Sequence, residues 1–287
     1  MLGIASGLML ANKVSEGPIV AQNDGNYLSV GVGAGNGLEL VPFQSTLRGS
    51  FTFACWLALG DIENTLGSTI IFGGKRTAGS VTENLAFSIL NDGKIQIVFE
   101  ANNDPTVVKS ASGILSGTNV GLHNHLAFVV TKNSGSDTTF TVYINGDAVT
   151  MASPSGTISE TNHNQYTSAE NLHLGAYAIA DGAPLSNDRV LLIKHAALWN
   201  SALNAANVDE LWDMGHGDSV SPSHTTHLGN EAHASGPIDL TSASGNYDTQ
   251  GDLVGYWKLT EGGGTIANDS SGNGNNGTVV GAITHLV

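Results

Sequence analysis

The stretch that decides the fold is Leu85-Ala86-Phe87-Ser88-Ile89-Leu90-Asn91-Asp92-Gly93-Lys94-Ile95-Gln96-Ile97-Val98-Phe99. On both sides of Asn91-Asp92-Gly93, large apolar residues alternate with small or polar ones, which is the pattern of a strand with one buried face. Asp92-Gly93 is a turn signal because glycine tolerates positive φ. The stretch therefore predicts an antiparallel hairpin that buries one of its faces.

The same alternation continues outward along the chain. Residues 126–130 and 140–144 form a second apolar-alternating pair, and the second member ends at the turn pair Asn145-Gly146. Regular short strands without intervening helices favour an all-β sandwich or barrel over a parallel α/β sheet. Further strands are predicted at 51–59, 69–73, 171–176, 189–199 and 253–259.

One surface helix is predicted, near 205–214. Asn204 is a suitable N-cap, because its side chain can accept a bond from a free backbone N–H group, and Gly215 is placed to be the C′ residue. Leu211 and Trp212 are expected to face the sandwich. Residues 215–250 then form a long polar excursion, of a length that often makes functional contacts.

Composition excludes several classes of protein. The 287 residues include 37 glycines but 7 prolines, which suits many short strands joined by tight turns. With 10 Lys and Arg against 25 Asp and Glu, the net charge of −15 argues against a nucleic-acid partner. Cys55 is the one cysteine and is expected to be a buried small hydrophobe. No stretch is long and apolar enough to span a bilayer.

Several short motifs occur in a fixed order along the chain. They resemble the laminin-G-like branch of the concanavalin-A-like lectin/glucanase superfamily, and this resemblance implies an antiparallel jelly-roll β-sandwich. The motifs are 49–56 (GSFTFACW), 123–130 (HNHLAFVV), 142–146 (VYING), 171–175 (NLHLG), 197–203 (ALWNSAL), 256–262 (YWKLTEG) and 268–277 (NDSSGNGNNG).

The position of the last two motifs departs from the family pattern. In most relatives this segment opens the domain, whereas here it closes the chain. Chain termini often lie close together, so a permuted order is compatible with the same sandwich. We therefore expect the C-terminal strands to complete one sandwich over 25–287, preceded by an anchor or contact segment at 1–24.

Catalytic chemistry is not expected. Glucanases of the resembled superfamily carry closely spaced carboxylates on one strand, whereas the densest acidic cluster here, Asp209, Glu210 and Asp213, falls on the predicted helix. His123-Asn124-His125 lacks the metal-binding unit and basic contacts of a nuclease and is expected to flank the core. The chain is therefore predicted to be non-enzymatic.

A calcium site is the metal centre that the sequence supports best. Asp269 and Asn273 lie in the Asp-x-Ser-Gly-Asn loop where relatives hold calcium, and Asp24 precedes a strand start; oxygen ligands of this kind suit Ca²⁺. The alternative is turn chemistry, in which Asp and Asn bond their own backbone. The loop histidines His216, His224, His227 and His233 lack the defined ligand spacing of a zinc site.

The arrangement also resembles laminin-G-like structural proteins of bacteriophages, especially marine ones. This predicts a non-enzymatic virion protein, as capsid decoration or part of a fibre, located on the virion. Its partners would be other virion proteins, through 1–24 and 215–250, further copies of itself and a host-surface glycan. The alternative is a bacterial secreted or surface lectin. No aromatic glycan platform is expected, because core positions hold Trp56, Trp199, Trp212 and Trp257.

Overall fold

The computed structural model describes residues 27–30, 33–34, 37–59, 69–78, 81–113, 124–166, 171–175, 186–187, 191–216, 238–281 and 283–286. Within these ranges the strands are β1 (Tyr27–Val30), β2 (Gly33–Ala34), β3 (Gly37–Leu40), β4 (Phe51–Leu59), β5 (Thr69–Ala78), β6 (Val81–Ile89), β7 (Ile95–Ala101), β8 (Asp104–Lys109), β9 (Asn124–Thr131), β10 (Thr139–Ile144), β11 (Asp147–Ala148), β12 (Leu172–Leu174), β13 (Ser186–Asn187), β14 (Leu191–Trp199), β15 (Leu253–Trp257), β16 (Ile266–Ala267), β17 (Gly277–Val280) and β18 (Ile283–Leu286).

Two antiparallel sheets form the body. The first sheet has the order β11-β10-β9-β4-β14-β1-β18, and β15 also pairs with β14. The second sheet has the order β16-β17-β3-β12-β5-β6-β7-β8, and β13 pairs with β2 in a small separate ribbon. The predicted all-β jelly-roll sandwich is confirmed. Strand β5 runs to Ala78, farther than the sequence pattern indicated.

The hairpin that decides the fold is present as expected. Strands β6 and β7 pair with Leu85 opposite Phe99 and Phe87 opposite Ile97. Gly93 has φ of 76°, and its N–H donates to the carbonyl oxygen of Leu90 across the turn. Positive φ is accessible to glycine without a Cβ clash, so the turn residue sets the register of the pair.

The main interior is built from every second side chain of the two sheets. Two stacked ring pairs lie at its centre: Phe53 with Phe72, whose centroids are 4.2 Å apart, and Phe87 with Phe128, at 4.5 Å. Cys55 is buried in the same cluster, as expected, and burial raises the pKa of its thiol. Full burial of each such aromatic ring stabilises the fold by about 1.5–3 kcal/mol.

The C-terminal residues supply strands to both sheets. β15 pairs with β14 and β18 pairs with β1 in the first sheet, while β17 pairs with β3 in the second. The expectation that the end of the chain completes the sandwich is confirmed. The segment 1–24 lies outside the described residues, so the proposed boundary at residue 25 stays a prediction.

A second apolar cluster covers the outer face of the first sheet. It packs helix α3 (Ala205–His216) and the segment 238–252, which we call the strap, against that face. The side chains that the first sheet contributes are Ala54, Trp56, Ala127, Val129, Tyr143, Ala197, Trp199, Leu253 and Tyr256. Both sides of strand β4 are consequently buried along its whole length.

Helix α3 begins as predicted but ends later. The Asn207 N–H donates to Asn204 Oδ1 at 2.9 Å, which confirms the N-cap, and Leu211 and Trp212 are buried. The helix continues through Gly215 to His216, so Gly215 is not the C′ residue. Packing of Met214 against the second cluster supports this last turn.

Two short α-helices, α1 (Gln44–Leu47) and α2 (Glu160–Asn164), and a 3-10 turn at Gln250–Asp252 were not predicted. A single turn is too short to produce a 3.6-residue apolar period, so only a capping residue such as Ser159 could have indicated one of them. No helix in the described ranges is long and apolar enough to cross a membrane.

The second part of the polar excursion at 215–250 packs on the sandwich. Ile238, Leu240 and Tyr247 are buried against the first sheet of the same chain. Residues 217–237 lie outside the described residues. The prediction that the excursion contacts neighbouring chains therefore stays a prediction for that part, while the strap packs on its own sandwich.

Candidate functional site

The acidic cluster of helix α3 serves contacts within the chain. Glu210 accepts a bond from the Asn246 N–H at 3.1 Å, which ties the helix to the strap. Asp209 lies against Gly146, where a Cβ would meet its carboxylate oxygen at 2.8 Å. These carboxylates lie on a helix over the first sheet and not on a concave strand face, so they do not form a glycosidase pair.

Asp269, the first predicted calcium ligand, is surrounded by backbone donors. Its Oδ1 accepts from the N–H groups of Tyr256 (2.9 Å) and Ser271 (2.8 Å), and its Oδ2 accepts from the Asn275 N–H at 2.8 Å. The Trp257 indole N–H in turn donates to the Asn275 carbonyl at 2.9 Å. The carboxylate therefore holds the loop at 268–277 against β15.

Asn273, the second predicted ligand, lies in the same loop and presents its nitrogen to β15. Its Nδ2 donates to the carbonyl oxygens of Leu253 (2.8 Å) and Val254 (3.2 Å). Asp269 therefore bonds backbone groups of its own loop and of β15, while Asn273 bonds carbonyls of β15; the calcium site at these residues stays a prediction. Asp24 lies outside the described residues. In the described ranges, no three His, Cys, Asp or Glu side chains are grouped to hold a metal ion.

Of the four histidines expected in loops, only His216 lies in the described residues. His224, His227 and His233 lie outside the described residues, and His216 is the last residue of helix α3. His125, from the triplet near residue 124, is buried beside Trp56 with ring centroids 5.4 Å apart. This confirms that the described part of the triplet flanks the core.

Two tyrosine hydroxyls connect strand β14 to the strap. The Trp199 indole N–H donates to Tyr247 Oη at 3.0 Å, and the Tyr247 hydroxyl donates to the Leu240 carbonyl at 2.8 Å. The Tyr256 hydroxyl donates to the Ile238 carbonyl at 3.1 Å and lies 2.8 Å from His195 Nδ1. Because a hydroxyl carries one proton, the neutral His195 ring is assigned its proton on Nδ1 and donates to Tyr256.

Burial controls the ionisation of these groups. It lowers the pKa of His125 to about 3, and with the nearby cations Lys194 and Lys258 it lowers that of His195 to about 4. Burial also raises the pKa of Tyr247 to about 12 and raises that of Tyr256. At neutral pH the network is therefore uncharged.

The outer face of the second sheet differs in character. Strands β6, β7 and β8 are paired so that outward-facing side chains line up in three cross-strand rows, which we call the outer patch. Its central row is apolar and its two flanking rows carry amide and charged groups. The rows are Ser88, Gln96 and Lys109; Ala86, Val98 and Val107; and Asn84, Glu100 and Pro105.

Most of the outer patch reaches the surface. Lys109 and Pro105 are exposed, while Gln96, Val98 and Glu100 are half-buried; Ala86 and Ser88 lie buried between them. Sequence reasoning did not single out this patch. The signal was present in the polar positions that alternate with the core residues of the deciding hairpin.

The fold and these surfaces define a concanavalin A-like β-sandwich. A family model, Laminin_G_3 of the concanavalin A-like lectin/glucanases superfamily, matches residues 24–209. The chain belongs to this family. No curated protein sequence matches it significantly.

Solved structures share the architecture at low sequence identity. A presumed carbohydrate-binding protein from Bacteroides ovatus ATCC 8483 is 13% identical, with a TM-score of 0.51 over 92% of this chain and 62% of its own. This chain therefore spans less than two thirds of that protein. The CBM40 of Ruminococcus gnavus IT-sialidase, bound to α2,3-sialyllactose, is 13% identical, with a TM-score of 0.43 over 64% of this chain and 94% of its own.

Proposed function

We propose that this protein is a non-enzymatic, lectin-like module that binds carbohydrate through the outer patch, and that it serves as a structural component on the surface of a bacteriophage particle. Membership of a lectin-type family supports the class. The single observation that carries the proposal is the three-row pattern of the outer patch, in which an apolar row is flanked by polar rows.

The pattern matches the surface chemistry of a sugar chain. A sugar ring offers apolar C–H groups on its face and hydroxyl groups around its edge. Val98 and Val107 would contact the ring face, while the Gln96 amide and the Glu100 carboxylate would bond hydroxyls at the two edges. Residues two apart on a strand are about 7 Å apart, so the polar rows flank the apolar row at the scale of one ring.

The same surface does not suit hydrolysis. Glycosidases need two carboxyl groups within about 5–9.5 Å of each other. Glu39 also lies on the outer face of the second sheet, but β3 is four strands away from β7, which places it about 19 Å from Glu100 at the usual strand spacing. Binding without cleavage is thus the activity that this geometry favours.

The binding function is tested on a glycan array, with and without EDTA. Wild-type protein is expected to retain neutral glycans, and Gln96→Ala should weaken binding about tenfold, the effect of one lost hydrogen bond. Asn246→Ala, which removes an exposed amide from the strap on the opposite side of the sandwich, is the control and should bind normally. Glycan binding that is insensitive to Gln96→Ala would contradict the assignment of the patch.

The phage setting is supported by sequence. The motif order resembles that of phage structural proteins, and residues 1–10 are apolar and uncharged on an acidic chain. In this setting 1–24 would contact other virion proteins, and several copies of the chain would assemble together. Deletion of residues 1–20 should abolish incorporation into particles, measured by immunoblotting of purified virions.

A second setting is a bacterial secreted or cell-surface lectin, which the family membership fits equally well. Normal incorporation of the deletion variant into particles would contradict the anchor role. Strong calcium-dependent glycan binding by a protein that does not associate with particles would favour the bacterial setting, and loss of binding in EDTA would support the calcium prediction.

A further inference from the structure

Two hydrogen-bonded bridges connect the strap to strand β14 of the first sheet. One of them includes His195, which is titratable and has a positive φ. The bridges from His195 and Trp199 through the two tyrosines end on the carbonyls of Ile238 and Leu240. Hydrogen bonds from Asn207 and Glu210 of helix α3 hold residues 246–248, and the Asn200 N–H donates to the Asp252 carbonyl at 2.9 Å. Apolar packing against the second cluster completes the attachment. The bridge through His195 is therefore a point at which proton uptake can act on the strap.

His195 occupies a bulge in strand β14. The register of β14 against β4 shifts between Lys194 and Ala197, and His195 has φ of 46°, which is uncommon for a residue with a Cβ. A bulge re-aims a side chain relative to a regular strand. Here it accompanies an imidazole placed at hydrogen-bonding distance from the Tyr256 hydroxyl.

A small cavity of about 10 Å³ lies between the sheet and the strap, at the lower limit for one water molecule. His125 is 3% exposed, and its Nδ1 has no hydrogen-bond partner. The cavity lining includes no carboxylate; it consists of Ala54, Trp56, His125, His195, Trp199, Leu211, Ile238 and Leu240. A proton added to either imidazole would consequently find no acid to pair with it there.

The cations near this cavity oppose protonation of His195, and the nearby carboxylates are hydrogen-bonded to other residues. Lys194 and Lys258, on and beside the strands that carry the network, repel a charged His195. From the strap, Asp239 bonds Thr241 and Ser242. From helix α3, Leu211 lines the cavity, while Glu210 accepts a hydrogen bond from the Asn246 N–H. Strand β4 lines the cavity with the uncharged side chains of Trp56 and Ala54.

We propose that the strap is an acid-released latch: proton uptake by His125 and His195 detaches residues 238–252 from the first sheet and uncovers its apolar outer face. The uncovered face includes Trp56, Val129 and Trp199, whose side chains would then be available to an apolar partner surface. The main interior lies on the other side of the sheet and stays closed.

The direction of the pH effect follows from linkage. Both histidines have a pKa below the ordinary 6.5 while the strap is closed, and burial, the largest cause of each shift, is relieved when the strap opens. The closed strap is therefore fully stable above about pH 6.5 and loses stability as the pH falls toward 4. Below 6.5, each histidine raises the opening constant by about tenfold per pH unit until its closed-state pKa is reached.

Hydrogen exchange measured by mass spectrometry at pH 7.5 and pH 5, corrected for intrinsic rates, tests the latch. In the wild type, protection of the strap should fall by at least tenfold while that of β6 and β7 is retained. His125→Phe with His195→Asn removes both titrations; asparagine tolerates positive φ, and phenylalanine keeps the contact with Trp56. This variant should show equal strap protection at both pH values.

Two further variants separate the latch from general acid sensitivity. His163→Gln removes a buried histidine that packs on Phe99 in the main interior, and strap release at pH 5 should persist in it. Tyr256→Phe deletes one bridge and should raise strap opening already at pH 7.5. If His195→Asn does not fold, His125→Phe alone should reduce the pH effect about tenfold or more. Strap protection that is independent of pH in the wild type, or loss shared equally by β6 and β7, would overturn the proposal.

Discussion

The two outer faces of the sandwich are built from strands with different sequence patterns. In the first sheet, β4 (FTFACWLAL) is buried at all nine positions, because helix α3 and the strap cover the side that points away from the interior. In the second sheet, β7 (IQIVFEA) alternates between buried and half-buried positions. A near-continuous apolar strand is covered on both faces, whereas an alternating strand presents one face to its surroundings.

The covered face of the first sheet contributes to stability, whereas the outer face of the second sheet is the proposed binding surface. The covered face extends the apolar core and holds some of its polar groups in hydrogen-bonded bridges such as the one from Trp199 through Tyr247 to Leu240. The second sheet keeps the amide and charged groups of the outer patch near the surface. Binding is therefore expected on the second sheet, and conformational control on the first.

The largest expected effect tests the interior that the two sheets share. Phe87→Ala removes a ring that stacks on Phe128 from the opposite sheet, so the free energy of unfolding should fall by about 3–5 kcal/mol. Urea denaturation followed by tryptophan fluorescence measures this. A loss below about 1 kcal/mol would contradict a common, tightly packed interior.

The next effect concerns the loop that joins the end of the chain to the first sheet. Asp269→Ala leaves three backbone N–H groups without their acceptor, which should destabilise the protein by about 2–3 kcal/mol. Asp92→Ala, in an exposed ion pair with Lys94, is the control and should cost less than about 1 kcal/mol. A large fall in Tm on adding EDTA to the wild type would instead support a calcium role for the loop.

A matched pair of valines compares the two outer faces directly. Val129 is buried under the strap and helix, while Val98 is half-buried in the outer patch. Val129→Ala should lower the free energy of unfolding by about 1.5–2.5 kcal/mol and Val98→Ala by less than about 1 kcal/mol, as measured by chemical denaturation. Equal losses would mean that both faces are covered to the same degree.

The smallest effect is expected at the proposed binding residue. Gln96→Ala removes a half-buried polar side chain, so the free energy of unfolding should change by no more than about 0.5 kcal/mol. Thermal unfolding of the variant beside the wild type measures it. A marked loss of stability would show that Gln96 supports the sheet. Weaker glycan binding by the variant could then be caused by partial unfolding and would not test the binding role of Gln96.

Local sequence patterns were sufficient for much of the fold. Alternation and the turn pairs Asp92-Gly93 and Asn145-Gly146 predicted the hairpins, and Asn204 predicted the start of helix α3. The contacts of the predicted calcium ligands were harder to predict from the sequence. Asp269 and Asn273 lie in one loop, but which atoms they bond depends on β15, which precedes them in the chain and packs against them only in the folded protein.

The sequence by itself determined the sandwich class, the two hairpin turns and most of the long strands, because side-chain alternation and glycine conformations act over a few neighbouring residues. Only the tertiary structure decided that the strap covers the first sheet and that His195 meets Tyr256 across 61 positions of chain. It also decided which polar residues share a row of the outer patch. Contacts of this kind depend on strand order and register, which are set when distant segments pair, and no local pattern records them.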